Sequence, residues 1–258
     1  MGLAFPSPLV LAAGLDRHGA LLQHGAALGL GAVETGSHWT PGGQPAPMSR
    51  PRTSRRTAAG QSGMRPECTA AARPLPLHGL SLVKPPALDW PRAGEAIRHA
   101  IAAWHRGADY VVLNPGRGCP SAELFADLVA ALAAWRERLP RPTPLALVVK
   151  LPASWVEADR RIELARRFVG AGADGLLLSA EGAIATASVR ISQLADALGP
   201  STSLMSVGGI DSVPVARARL RAGASLLHVH RAALGSERRV RSLLCELAAL
   251  RPMPRSMG

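Results

Sequence analysis

The segment LNPGRGCPSAE, residues 113–123, carries Asn114, the only asparagine among 258 residues, and Cys119, one of three cysteines. It continues an apolar run, DYVVLN, that reads as a strand, so both residues fall at or just beyond a strand end. A small cysteine in a loop can be chemically idle, whereas a thiolate beside cationic groups is a base or a nucleophile. Lys150 closes a second apolar run, LALVVKL. A lysine there is ordinarily a surface residue, but Lys84 and Lys150 are the only lysines in the chain, which favours a functional cation at 150. Lys84, followed by two prolines, can equally well end a strand in solvent. SVGGID, residues 206–211, ends a strand on two glycines and opens a helix. The glycine pair fits a tight turn, and it also fits a backbone that must approach a phosphate at a helix N-terminus. The next strand ends in HVHRAALG, where Arg231 can supply a charged partner.

These residues need elements to bring them together. Short apolar runs alternate with longer amphipathic segments, the rhythm of parallel βα units. The strands expected are PLVLAA, GAVET, LHGLSLV, DYVVLN, LALVVKL, DGLLLSA, SLMSVGG and SLLHVH. Helical patterns lie between them, among them AGEAIRHAIAAWHRG, SAELFADLVAALAAWRERL and EADRRIELARRFVGAG, and glycines near their ends suit helix C-caps. Eight strands in a chain of this length predict an α/β fold, a (β/α)8 TIM barrel spanning residues 1–258 as one domain. The rhythm is interrupted by a Pro-, Gly- and Arg-rich insertion at about 37–76, which suits a lid or a disordered loop. Such barrels place their chemistry at the C-terminal ends of the strands. Gly14, Ser37, Lys84, Asn114, Lys150, Ser179, Gly208 and His230 then share one rim.

Composition narrows the partners. The formal charge is +12, nearly all of it arginine, and arginine and alanine are enriched throughout. The densest basic segment, MSRPRTSRR, has no interleaved aromatics for base stacking, so nucleic acid is not the expected partner. Three cysteines without C-x-x-C spacing point to neither a disulfide framework nor a zinc site. The eight histidines lack metal-binding spacing, and His18, His24, His99 and His105 read as surface or packing residues. Cys68 looks bland, and Cys245 is expected inside the apolar face of the last helix. LVLAAG is too short to span a membrane and no signal-peptide pattern precedes it, so a cytoplasmic, reduced protein is expected.

The chain resembles the dihydroorotate dehydrogenase family of FMN-dependent (β/α)8 barrels. The likeness begins with PSPLVLAAGLDRHGALLQHGAALGLGAVETGSHWTPGGQP, similar to the family's N-P-x-x-x-A-A-G-x-D-K-x-G through G-x-V-E-x-G-[ST]-x-T-P-x-P-Q. It resumes at DYVVLN, VVKLP, ADGLLLS and SVGGIDS and ends with RAGASLLHVHRAAL, omitting the arginine-rich loop. The resemblance implies an FMN cofactor. Ala13 and Gly14 would let backbone approach the flavin, Ser37 and Ser81 would contact it, and Asn114 would lie near flavin and substrate. Lys150 would face the edge of the ring where negative charge gathers on reduction. Gly208 and Gly209, with His230 and Arg231, would hold the phosphate. Arg17, standing where the family has a lysine, and the rim residues Lys84 and Ser179 complete the expected contacts. Cys119, Lys150 and Asn114 are the expected catalytic set.

The chain also departs from the family. RRTAAGQSGM stands where N-R-M-G-F-N-N is expected, and Ala180 replaces an asparagine. NPGRGCPS aligns Cys119 with the base of the soluble enzymes only by inserting two residues, and without that gap Arg117 takes the position. The opening motif resembles the membrane-associated class, without that class's N-terminal extension. The expected reaction is hydride transfer between flavin and a small, anionic substrate other than dihydroorotate. The alternatives are a phosphate-binding barrel acting as a lyase, synthase or isomerase, or a non-catalytic paralogue without flavin. A homodimer is left open.

Overall fold

A computed structural model describes residues 1–16, 19, 21–22, 24–38, 75–116, 118–155, 160–230, 242 and 245–246. Eight parallel strands close into a barrel in sequence order: β1 (Leu9–Asp16), β2 (Ala32–His38), β3 (Leu77–Val83), β4 (Tyr110–Asn114), β5 (Ala146–Leu151), β6 (Gly175–Ser179), β7 (Ser203–Val207) and β8 (Leu226–Val229). The helices are α1 (Gly25–Leu28), α2 (Ala93–Trp104), α3 (Ala122–Arg136), α4 (Arg161–Gly170), α5 (Ala187–Leu198) and α6 (Val213–Arg221). The expected barrel is therefore present, and each expected strand has its counterpart.

Strand alternation sorts the core into two layers. Val10, Ala32, Tyr110, Val112, Ala146, Val148, Leu177, Met205 and Leu226 pack together inside the barrel. Leu9, Leu11, Leu113, Leu147, Val149, Leu178 and Leu227 form the second layer with helix residues such as Phe125, Val129, Phe168 and Ile191. Strands buried on both faces read as continuous apolar runs, which is why they were visible in the sequence. The first residues plug the bottom: Met1, Leu3 and Phe5 pack on the inner cluster, and Phe5 meets Tyr110 edge-on at 5.9 Å between ring centroids.

Two expectations need correction. β2 runs on through His38, pairing Gly36 with Ser81 and His38 with Leu82, so Ser37 belongs to a strand and not to the insertion. Residues 39–74, including Cys68 and the basic segment, lie outside the described residues. Cys245 is exposed, not inside an apolar face. No helix among the described residues is long and apolar enough to cross a membrane.

Candidate active site

The same alternation aims the rim. Residues two or four beyond inner-layer positions point into the barrel mouth, and these include Ser81, Asn114, Lys150, Ser179 and His230. Lys150 is half-buried and makes no hydrogen bond or ion pair to any described residue. An ammonium so placed has given up part of its water without receiving a partner from the described residues, which suits it to an anionic group.

Lys84 behaves differently. It is buried, not solvated at a strand end, and its Nζ donates to the carbonyls of Pro85 at 2.7 Å, Pro86 at 3.4 Å and Leu88. All three ammonium protons are thus spent on the turn after β3, and Lys84 reads as the organiser of that turn.

The β4 loop is built by short-range bonds. Asn114 Oδ1 accepts the Gly116 N–H at 3.1 Å, a side chain standing in for a turn, while its Nδ2 protons have no partner among the described residues. Gly116 takes φ +67°. Ser121 then caps α3, its Oγ accepting from Leu124 N at 3.2 Å. Between them the Cys119 thiol donates to Ser121 O at 3.3 Å, and burial pushes its pKa up to about 11. No charged group among the described residues opposes that shift. Of the two readings left open for Cys119, the thiolate is therefore not favoured at rest near neutral pH, where burial favours the protonated thiol.

At the first strand, β1 uses five residues where β2 uses two, between the pairs Leu11–Val33 and Asp16–Thr35, so the chain bulges at Ala13 and Gly14. Gly14 has φ +100°, and a Cβ there would sit 3.2 Å from His230 Nε2, so β1 and β8 approach closely at the rim. Ser37 and Ser81 meet Oγ to Oγ at 3.0 Å. Ser179 Oγ accepts from Glu181 N at 3.4 Å, and the buried Ala180 spends its N–H on Val207 O at 2.8 Å. After β7, Gly208 and Gly209 take φ +98° and +66°, and a Cβ on Gly209 would lie 2.7 Å from Ile184 Cγ2. Two successive glycines in left-handed backbone precede α6, a turn whose backbone can approach a phosphate near a helix N-terminus. Arg17, Arg117 and Arg231 lie outside the described residues.

Beneath the rim lies a polar cluster that the sequence reading missed. Glu34 is 2% exposed inside the barrel, with Oε1 accepting from the Tyr110 hydroxyl at 3.1 Å and Oε2 from Ala13 N at 3.4 Å. His228 Nδ1 lies 3.4 Å from Glu34 Oε2, close enough for charge attraction, yet neither ring nitrogen completes a hydrogen bond. Gly79 makes room between them, since a Cβ there would be 2.4 Å from Tyr110 Cζ and 2.8 Å from Glu34 Cγ. Burial and the Glu34 charge hold the Tyr110 hydroxyl well above its ordinary pKa, so it stays a donor. The glutamate in GAVET, a charge in an otherwise apolar inner strand, was the available signal. Through Ala13 it ties the β1 bulge to the barrel interior.

No family model matches the chain. A dihydroorotate dehydrogenase (quinone) of Methylococcus capsulatus is 30% identical over 274 aligned positions, covering 89% of this chain and 79% of the relative. The chain belongs to the dihydroorotate dehydrogenase family. The relative of the same name from Synechococcus sp. is 29% identical, covering 89% of this chain and 71% of its own. Family members are flavin-dependent oxidoreductases, which agrees with the resemblance read from the motifs. The fold agrees too. Ligand-free dihydroorotate dehydrogenase from Eimeria tenella superposes with a TM-score of 0.72 at 19% identity, over 96% of this chain and 85% of that one. A mandelate oxidase shares the barrel with a TM-score of 0.56 at 18% identity, over 93% of this chain and 72% of that one.

Proposed function

We propose that this dehydrogenase-family barrel is an FMN-dependent oxidoreductase that exchanges a hydride with a small, anionic substrate other than dihydroorotate. The observation that carries the reading is Lys150, an inward-pointing, half-buried cation with no partner among the described residues. The described residues also fit the cofactor. The left-handed turn at Gly208–Gly209 offers backbone N–H groups for a phosphate, and Gly14, at φ +100° and without a side chain, lets the β1 bulge lie close to a flat ring. Ser37 and Ser81, joined Oγ to Oγ, present hydroxyls on the β2–β3 side.

FMN, when bound, supplies reversible hydride acceptance. The chain's own residues supply the rest. Lys150 Nζ stabilises negative charge gathered at the mouth, a fixed cation that costs no reorganisation during reaction. Asn114 Nδ2 keeps two donors free to orient substrate, because its Oδ1 alone shapes the loop. Cys119 Sγ holds its proton at neutral pH and is suited to giving it up to the substrate carbon adjacent to the one that gains the hydride. Arginine supplies nearly all the positive charge of the chain, and carboxylates are its natural partners.

The test is the colour and cofactor uptake of the purified protein. Bound or reconstitutable FMN with flavin absorbance is expected. A colourless protein that takes up no added FMN would overturn the reading and favour a non-redox barrel or a non-catalytic paralogue.

A further inference from the structure

Arg219 lies in α6, within VARARLR, a pattern that reads as a basic helix surface. It is instead 1% exposed and is the largest fully buried side chain among the described residues. Its partners are all neutral. Nη1 donates to Ser206 Oγ at 3.2 Å and Nη2 donates to Ile184 O at 3.3 Å, and no carboxylate among the described residues lies within ion-pair distance. A guanidinium cannot shed its proton to escape burial, although burial lowers its pKa. The fold therefore keeps one full positive charge in its interior without a counter-charge among the described residues, an arrangement that costs stability unless an anion compensates it.

Both partners flank the glycine turn. Ser206 is two residues before Gly208 on β7, and the Ile184 side chain occupies the space that a Cβ on Gly209 would fill. The guanidinium is thus tied to the turn through Ser206 and the Ile184 segment, and the same helix presents its N-terminus after that turn. The glycine turn, the N-terminus of α6 and the buried cation belong to one β7–α6 unit, and each favours negative charge.

We infer that Arg219 is the hidden counter-charge of a phosphate-monoester site at the Gly208–Gly209 turn: a positioning residue that pins the Ile184 segment against the turn and adds its field to the bound dianion. The inference rests on the flavin reading only for the identity of the ester, FMN, and not for the presence of the anion site.

The experiment titrates FMN, riboflavin and inorganic phosphate into the full-length protein freed of ligand, in wild type, Arg219→Met and Arg219→Lys. Riboflavin shares the ring and lacks the phosphate, so the ratio of the two affinities isolates the anion site. Arg219→Met is expected to weaken FMN and phosphate roughly tenfold, the scale of one partly screened charge, and to leave riboflavin unchanged. Its melting temperature without ligand should not fall, because a well-packed apolar side chain replaces an uncompensated charge. Arg219→Lys should hold the FMN-to-riboflavin ratio within about threefold of wild type. If the methionine variant does not fold, Arg219→Gln, which keeps a donor for Ile184 O without the charge, is judged by the same ratio. Equal weakening of FMN and riboflavin, or no weakening of either, overturns the inference. Wild type that takes neither flavin but binds phosphate in an Arg219-dependent way ends the flavin reading and supports this one. Wild type that binds none of the three overturns both.

Discussion

Lys150 and Cys119 carry opposite charge logic at the same rim. The lysine is a cation without a partner among the described residues, so its removal should spare ground-state binding and harm the step in which negative charge builds up. Lys150→Ala is expected to slow flavin reduction by roughly 100-fold, the scale of removing one preorganised charge, while FMN affinity changes far less. Stopped-flow reduction beside equilibrium titration checks this, and an unchanged reduction rate and potential would remove Lys150 from the ring. Cys119 is held protonated by burial, with a pKa of about 11. Its thiolate fraction at pH 8 is then about one part in a thousand, so alkylation should be slow there and climb up to that pKa. The exposed Cys245 provides the internal reference. Because the folded pKa lies above that of the unfolded thiol, the protonated form favours the fold, and this contribution fades as pH rises toward about 11. Peptide-resolved mass spectrometry across pH 7–11 reads both cysteines. Equal rates at pH 8 would mean that Cys119 is an ordinary thiol.

At the scale of elements, glycines decide which strands and turns can meet. Gly209→Val would put a branched side chain at φ +66°, against Ile184 carbons 2.7–3.1 Å from the new Cβ. The left-handed backbone alone costs roughly 1–2 kcal/mol. The turn should rearrange and lose phosphate or FMN binding by calorimetry, while circular dichroism retains the barrel; undiminished binding would move the phosphate site elsewhere. Gly79→Ala tests the interior of β3, where a Cβ would lie 2.4 Å from Tyr110 Cζ and 2.6 Å from its hydroxyl. Overpacking of this kind costs roughly 1–3 kcal/mol, and each kcal/mol is about 2–4 °C of melting temperature in a chain of this size. A melting temperature equal to wild type would show that the Glu34–Tyr110 contact can yield. The strands themselves were legible in the sequence because parallel strands covered on both faces must be apolar throughout. The polar cluster and Arg219 were not. Glu34 meets Tyr110 across 76 positions of sequence, and Arg219 meets Ile184 across 35, so their burial depends on partners that no local pattern announces. The solvated strand end left open for Lys84 fails in the same way, since its solvent-like KPP context conceals three carbonyls folding back onto one ammonium.

The whole molecule keeps the dehydrogenase-family barrel, and the proposed change lies in what its mouth offers a substrate. The rim positions follow from barrel topology, which makes Gly14, Ser37, Asn114, Lys150, Ser179, Gly208 and His230 legible from strand order alone. Substrate choice rests on side chains, and there the chain is depleted. Ala180 is buried, carries no polar side chain, and has its backbone N–H occupied by Val207 O. Asn114, the only asparagine, spends its acceptor on the Gly116 N–H. A pyrimidine-like ring needs several neutral donors and acceptors at fixed angles, and arginines, which only donate, cannot recreate that pattern. Each missing buried hydrogen bond costs about 1–3 kcal/mol, so losing several lowers turnover by orders of magnitude. Protein reconstituted with FMN should therefore show no appreciable dihydroorotate oxidation with either quinone or fumarate as acceptor. The assay is product formation followed beside flavin occupancy, so that an empty enzyme is not mistaken for a selective one. Turnover at a rate typical of enzymes, abolished by Cys119→Ala, would establish dihydroorotate as the substrate and Cys119 as the proton-transfer group. Full flavin occupancy without turnover is the expected result, and flavin reduction by other small carboxylates is then the direct route to the substrate.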